Sequence, residues 1–249
     1  MTQAFNRDCM EAMKEFPDNY FELAVVDPPY GGGFTEGGGC KGWFAKYHPD
    51  SSQTVQVERE RAEYNRFGGR FDRYKGVEDW RHMGDEVRKK IIAWDVAPGE
   101  EYFKELFRVS RNQIIWGGNY FSLPPTRCFL IWRKLTISES FTMAMAEYAW
   151  TSFFDNAKVF EFAPQGKADD KRFHPTQKPV ELYRWIFSRY AKPGDKILDT
   201  HLGSGSSRIA AYDAGLDFWG YEIDPVYFAK EEERFNAYAS QLNLFLEES

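Results

Sequence analysis

The sequence predicts an α/β chain built on a mostly parallel sheet with helices on both faces. Three observations carry this. Leu23-Ala24-Val25-Val26 is apolar at every position, as a strand buried on both faces must be, and it stops at Asp27-Pro28-Pro29-Tyr30. Lys196-Ile197-Leu198-Asp199 reads as a second such strand, and it runs through a glycine-containing turn straight into a helical stretch. Between them lie an amphipathic helical segment, three strand-like runs and a second helical segment, so helices and strands are mixed along the chain.

Bulk properties frame the reading. A chain of 249 residues can bury a sizeable core in one large domain, and 43% hydrophobic with 18% aromatic residues marks a globular protein rich in stacking groups. No apolar run approaches the ~20 residues that cross a bilayer. Charges at Arg7 and Asp8 leave no apolar signal core, so a cytoplasmic protein with no membrane partner is expected. Cys9, Cys40 and Cys128 are odd in number and widely spaced, which points to a reducing compartment and to neither a disulfide framework nor a zinc site. The net charge of −6 argues at first against nucleic acid. Its distribution softens that argument: residues 213–249 hold nine acidic and two basic side chains, whereas residues 41–90 hold twelve basic and nine acidic ones. A weakly basic middle permits DNA binding without demanding it.

In order along the chain, Ala4-Phe5-Asn6 reads as a brief strand, Asp8 as a helix N-cap, and Cys9 to Phe16 as a helix with Met10, Met13 and Phe16 at helical spacing. The strand Leu23–Val26 must end at Asp27-Pro28-Pro29-Tyr30, because neither proline has an N–H for the ladder and each fixes its own φ. A carboxylate beside donor-free proline backbone accepts hydrogen bonds from a planar amine, and a tyrosine ring stacks on a flat heterocycle. Read blandly, the same residues are a strand end, a turn and a surface Asp.

Six glycines in the nine residues 31–39 read either as a linker or as a lid over a ligand. Residues 43–90 show no clean periodicity. They interleave rings and bases, among them Tyr64, Arg66, Phe67, Arg70, Phe71, Arg73, Tyr74 and Lys75. That mixture can clamp phosphates and stack on bases, or form a solvated insertion with a small aromatic cluster. Val87 to Ile92 reads as a short helix. Glu100 to Val109 is an amphipathic helix, followed by strands at Asn112–Trp116, Cys128–Trp132 and Glu147–Phe153. Asn119 and Tyr120 sit past a strand end, as turn residues or as the lining of a base pocket.

Arg172 to Pro179 is a polar loop before a helix marked by Val180, Leu182, Trp185, Ile186 and Tyr190. After Asp199, the turn Thr200-His201-Leu202-Gly203-Ser204-Gly205-Ser206-Ser207 enters a helix from Arg208 to Ala214, closed by Gly215. Strand, Gly-x-Gly and helix together let a ligand approach a helix N-terminus over bare backbone, although a lone Gly-x-Gly is weak evidence. Asp217 to Glu222 is the next strand. The acid at its end suits the two hydroxyls of a ribose, or alternatively caps the helix that begins near Pro225. The tail helix, Val226 to Leu246, reads as acidic outside, aromatic inside and concerned with packing alone.

Asp27-Pro28-Pro29-Tyr30 resembles the catalytic motif of amino-group DNA methyltransferases, and its Asp form is more typical of the adenine enzymes. His174-Pro175-Thr176-Gln177-Lys178-Pro179 and the Gly203-Ser204-Gly205 turn resemble that family's two cofactor segments. The order, catalytic motif first, is similar to the permuted β group. The resemblance spans nearly the whole chain apart from the insertion. It implies a Rossmann-like S-adenosylmethionine-dependent methyltransferase fold, circularly permuted, with a seven-stranded mostly parallel sheet. The whole of 1–249 would be one methyltransferase domain, with 31–92 inserted as a lid and DNA-recognition region.

The activity implied is site-specific N6 methylation of a flipped adenine in double-stranded DNA, with S-adenosylmethionine as cofactor and no metal, of the kind found in restriction-modification. The alternatives are N4 methylation of cytosine, or a catalytically inactive nucleic-acid-binding module on the same fold. By the resemblance, Asp27, Pro28, Pro29 and Tyr30 are catalytic. Asp8, Cys9, Lys178, Asp199, His201, Gly203, Ser204, Gly205, Ser206, Glu222 and Ile223 bind the cofactor, with Lys178 at its carboxylate end. Arg66, Arg70, Arg73 and Lys75 contact DNA. The protein would be nucleoid-associated while acting, and a homodimer is compatible with all of this. One departure stands out: the family's usual Asp-Pro-Phe-x-Gly-x-Gly is here Asp199-Thr200-His201-Leu202-Gly203-Ser204-Gly205. Either His201 stacks in place of the Phe, or the cofactor sits differently.

Overall fold

A computed structural model describes residues 1–30, 96–138, 144–164 and 172–247, with side chains described as far as Gln241. The chain divides into two units: one comprises Met1–Pro28 and Pro98–Ser249, the other Pro29–Ala97. Only residues 29, 30, 96 and 97 of the second unit are described. The glycine run, the helix expected at 87–92, and the expected DNA contacts Arg66, Arg70, Arg73 and Lys75 therefore lie outside the described residues.

The first unit is one eight-stranded sheet with helices on both faces. Its elements are β1 (Thr2–Asn6), α1 (Cys9–Met13), β2 (Phe21–Val26), α2 (Glu100–Val109), β3 (Ser110–Trp116), β4 (Phe129–Lys134), β5 (Ala146–Thr151), β6 (Lys158–Phe162), α3 (Val180–Tyr190), β7 (Lys196–Asp199), α4 (Ser206–Asp213), β8 (Asp217–Glu222) and α5 (Pro225–Glu247). The strand order is β1-β8-β7-β2-β3-β5-β4-β6. Every neighbouring pair is parallel except those made by β5, which runs against both β3 and β4.

The sheet has one strand more than the seven expected. The addition is β6, an edge strand paired only with β4. Its sequence, Lys158-Val159-Phe160-Glu161-Phe162, alternates between half-buried and exposed positions. An edge strand packs on one side only and carries charges on the other, so it lacks the continuous apolar run that marks a central strand.

β2 does show that run, and the structure gives the reason. Leu23 and Val25 face a core shared with Leu182, Ile186 and Phe187 of α3 and with Ile209 and Ala210 of α4. Ala24 and Val26 face the opposite core, with Met13 of α1 and Leu106 and Val109 of α2. Both faces are covered, so no polar position is tolerated. At roughly 1.5–3 kcal/mol per fully buried Leu or Val side chain, Leu23, Val25 and Val26 hold the strand where it lies.

The topology then fixes the ligand edge. From β2 the chain goes on to β3 on one side, while from β7 it goes on to β8 on the other. The order therefore reverses between β7 and β2, and ligands of open α/β sheets bind outside the carboxyl ends at such a reversal. No described helix is long and apolar enough to cross a membrane.

Candidate active site

Ala24 pairs with Leu198, so β2 and β7 deliver Asp27 and Asp199 to the same edge. β8, beside β7, delivers Glu222, and β1, beside β8, leads into Asp8. Four carboxylates thus leave four adjacent parallel strands on one side of the sheet. Pro29 and Tyr30 begin the second unit.

The Gly203–Gly205 turn is held from several directions. Asp199 is buried. Its Oδ1 accepts the His201 N–H at 3.0 Å, and its Oδ2 accepts the Ser207 hydroxyl at 2.6 Å. Burial pushes its carboxyl up to about 7, against the pull of those two donors. Glu222 Oε2 accepts the Gly203 N–H at 2.9 Å, and its Oε1 accepts the Asp224 N–H at 2.8 Å. The Ile223 backbone also donates to this carboxylate, whose two oxygens together still have capacity for a hydroxyl. Asp224, not Glu222, caps α5, accepting from Val226 and Tyr227.

Gly203 and Gly205 both have positive φ, +54° and +73°. A Cβ on Gly203 would press on the His174 ring, and one on Gly205 would overlap the Glu231 side chain. The backbone is bare here because nothing larger fits. Ser204 and Ser206 are buried, with hydroxyls 3.2 Å apart.

The tail helix is not packing alone. Glu231 is wholly buried, paired with Arg208 at 3.0 Å, and Arg234 donates to the Ser204 carbonyl at 2.6 Å. Charges were expected on the outside of α5. These turn inward because each meets an opposite charge or a carbonyl, without which burial would be prohibitive.

His201 packs against the N-terminal end of α2. Its ring meets Tyr102 edge-on, with centroids 5.5 Å apart. Its Nδ1 lies 2.9 Å from the Thr200 hydroxyl, which in turn lies 2.6 Å from the Tyr102 hydroxyl. Burial pushes its pKa down to about 4, so the ring is neutral near pH 7.

Asp8 caps α1, accepting from Met10 at 2.7 Å and Glu11 at 3.2 Å. Cys9 opens that helix, and burial raises its thiol to about 12. Ile223 is largely exposed beyond β8, where an apolar surface can meet a ligand. Tyr221, two residues before it, is buried and stacked on Phe5 at 5.4 Å. Asn119 and Tyr120 lie in a 3₁₀ turn, Gly118–Tyr120.

Lys178 is placed where the sequence did not suggest. Its ammonium is buried and donates to Asp27 Oδ2 and to Glu147 Oε2, the latter at 3.1 Å. Glu147 also pairs with Lys134 at 2.6 Å. Burial alone would raise the Glu147 carboxyl, but the two ammonium groups outweigh it and hold it at about 2. Neither Glu147 nor Lys134 carried a local signal, since a charge near a strand end reads as solvent-facing. Among the described residues, no group of three or more His, Cys, Asp or Glu side chains is arranged for a metal ion.

Residues 150–233 match the family model of N6/N4 DNA methylases. YubD of Escherichia coli (strain K12), a candidate methylase by its name, is 23% identical over 95% of this chain and 91% of its own length. The type II methyltransferase M2.DpnII of Streptococcus pneumoniae is 38% identical over 26% of this chain and 24% of its own. Among solved structures, PvuII DNA methyltransferase, cytosine-N4-specific, superposes with a TM-score of 0.56 at 11% identity, covering 94% of this chain and 86% of that one. A candidate DNA modification methylase of Thermus thermophilus, complexed with S-adenosyl-L-methionine, superposes at 0.51 and 16% identity, covering 96% of each.

The fold is the Rossmann-like fold of S-adenosylmethionine-dependent methyltransferases. The match to the DNA methylase model covers the stretch that holds the His174–Pro179 segment and the Gly203–Gly205 turn, and it ends before the end of the tail helix.

Proposed function

We propose that this protein methylates the N6 amine of adenine in duplex DNA, with S-adenosylmethionine as methyl donor. The observation that carries the reading is that Asp27 and the Gly203–Gly205 turn leave the adjacent strands β2 and β7 at one sheet edge. The proposed cofactor cradle is the bare-backbone turn at the N-terminus of α4, beside the carboxylate of Glu222, with His174 and Glu231 packed where Cβ atoms would go. Gly203, Ser204, Gly205 and Ser206 supply that cradle. Glu222 suits the ribose, and Asp8, Cys9 and Ile223 suit the adenine end. Asp199 and His201 act by bracing the turn.

When bound, S-adenosylmethionine supplies an electrophilic sulfonium methyl. The chain's own part is to hold the amine. Adenine leaves the helix at a cost of a few kcal/mol, and Tyr30 is proposed to stack on it. Asp27 and the Pro28 carbonyl accept the amine's hydrogens, which turns its lone pair toward the methyl, and proximity contributes much of the rate. Arg66, Arg70, Arg73 and Lys75 are proposed phosphate and base contacts within a recognition insertion at 31–92. Adenine is preferred to cytosine on the Asp-Pro-Pro-Tyr form alone.

The test is transfer of tritiated methyl from S-adenosylmethionine to plasmid DNA, followed by nucleoside chromatography. N6-methyladenine is the expected product. N4-methylcytosine would replace the adenine assignment. DNA binding with no labelled base would favour an inactive binding module. A cytoplasmic, nucleoid-associated enzyme is proposed, and sedimentation decides whether it forms a homodimer.

A further inference from the structure

We propose that Lys178 and Glu147 are positioning residues that lock the Asp27 carboxylate for the incoming amine, with Lys134 anchoring the far end of the same chain. This rests on the methyl-transfer reading above and assigns Lys178 away from the cofactor.

The argument begins with the lysine. Its side chain is only 4% exposed, it bonds both Asp27 and Glu147, and its ammonium lies over the Trp116 ring, 5.4 Å from the centroid. An ammonium has three donors, and two already face carboxylates. A cofactor carboxylate would be a third anion at a group whose charge is matched. Glu147 is likewise engaged on both oxygens, by Lys178 and by Lys134. Lys134 is 6% exposed and lies over the Trp132 ring at 5.1 Å. The four charges alternate in sign along the chain.

The fold explains how they meet. Asp27 follows β2, and Lys134 ends β4, which lies parallel to it within the sheet. β5 runs the opposite way, so its second residue, Glu147, arrives at the same edge as those strand ends. Lys178 comes from the loop before α3. The lone antiparallel strand thus places an anion where all its neighbours present carboxyl ends.

Such a chain has a task. The terminal torsion of Asp is soft, so a carboxylate alone at a strand end rotates. Anchoring Oδ2 on a buried ammonium sets the plane in which Asp27 meets the amine. A group that orients a reacting centre changes the transfer rate at saturating cofactor, whereas a cofactor ligand changes cofactor affinity.

The experiment compares wild type, Glu147→Gln, Lys178→Met and Lys178→Arg. It measures S-adenosylmethionine affinity by calorimetry and single-turnover methyl transfer to duplex DNA at saturating cofactor. The expected result is a transfer rate lowered on the order of a hundredfold in Lys178→Met, as small misplacement of reacting groups commonly costs, with cofactor affinity unchanged. Glu147→Gln should lower the rate in the same direction, and Lys178→Arg should restore part of it.

Weakened cofactor affinity with an unchanged rate in Lys178→Met would overturn the proposal and make Lys178 a cofactor ligand. A wild-type rate in Glu147→Gln would overturn it equally. Glu147→Gln keeps the side-chain volume, so it carries the test alone if Lys178→Met fails to fold. A wild type that binds cofactor yet transfers nothing refutes the activity itself; a fully active Glu147→Gln refutes only the positioning.

Discussion

Gly205 lies against Glu231 with no room for even one methyl group between them. Glu231 cannot step aside, because Arg208 holds both its oxygens at 3.2 and 3.0 Å. Gly205 also sits at φ +73°, where a side chain costs about 1–2 kcal/mol before any clash. Gly205→Ala should therefore lower the melting temperature by several degrees, at roughly 2–4 °C per kcal/mol for a chain of this size, and abolish cofactor binding. Thermal denaturation and calorimetry check both.

His201 makes a prediction about acid. Burial holds its pKa at about 4, below the ordinary 6.5, so the fold keeps it neutral while the unfolded chain takes up a proton. Acidification through that window then favours unfolding. His201→Phe removes the titration and keeps a ring against Tyr102. The variant's melting temperature relative to wild type should rise as pH falls from 6.5 toward 4 and stay level above that window. Asp199, pushed up to about 7 by burial, works in the opposite sense in both proteins and cancels in the comparison.

Glu147 predicts the reverse kind of window. Its carboxyl is held at about 2, below the ordinary 4.5, by Lys178 and Lys134 against its own burial. Its contribution to stability is complete above 4.5 and is lost as pH falls toward 2. Glu147→Gln should be less stable than wild type at neutral pH, and the difference should shrink through that acid range. Denaturant melts at stepped pH measure it.

These residues also show where sequence is informative. β2 and β7 are legible because strands covered on both faces must be apolar throughout, and their acids stand out at the ends. The turn at 203–205 is legible because only glycine tolerates its backbone. β6 is not, since an edge strand carries charges at alternate positions like any loop. The Lys178–Glu147 pair is hidden for another reason: an antiparallel hairpin suits this run of strands, but nothing in Ala146-Glu147-Tyr148-Ala149 names the distant lysine that its acid meets. Glu231 and Arg208 are hidden because each is a buried charge that only a distant partner makes tolerable.

The central claim is that Asp27 receives the amine while the turn after β7 receives the cofactor. Asp27→Asn, which keeps the side-chain shape, separates the two. Calorimetry with S-adenosylmethionine and tritium transfer to plasmid DNA should show unchanged cofactor affinity, with methyl transfer reduced on the order of a hundredfold or more, as when one aligned polar group is lost from a reacting centre. Undiminished methyl transfer by that variant would contradict the account.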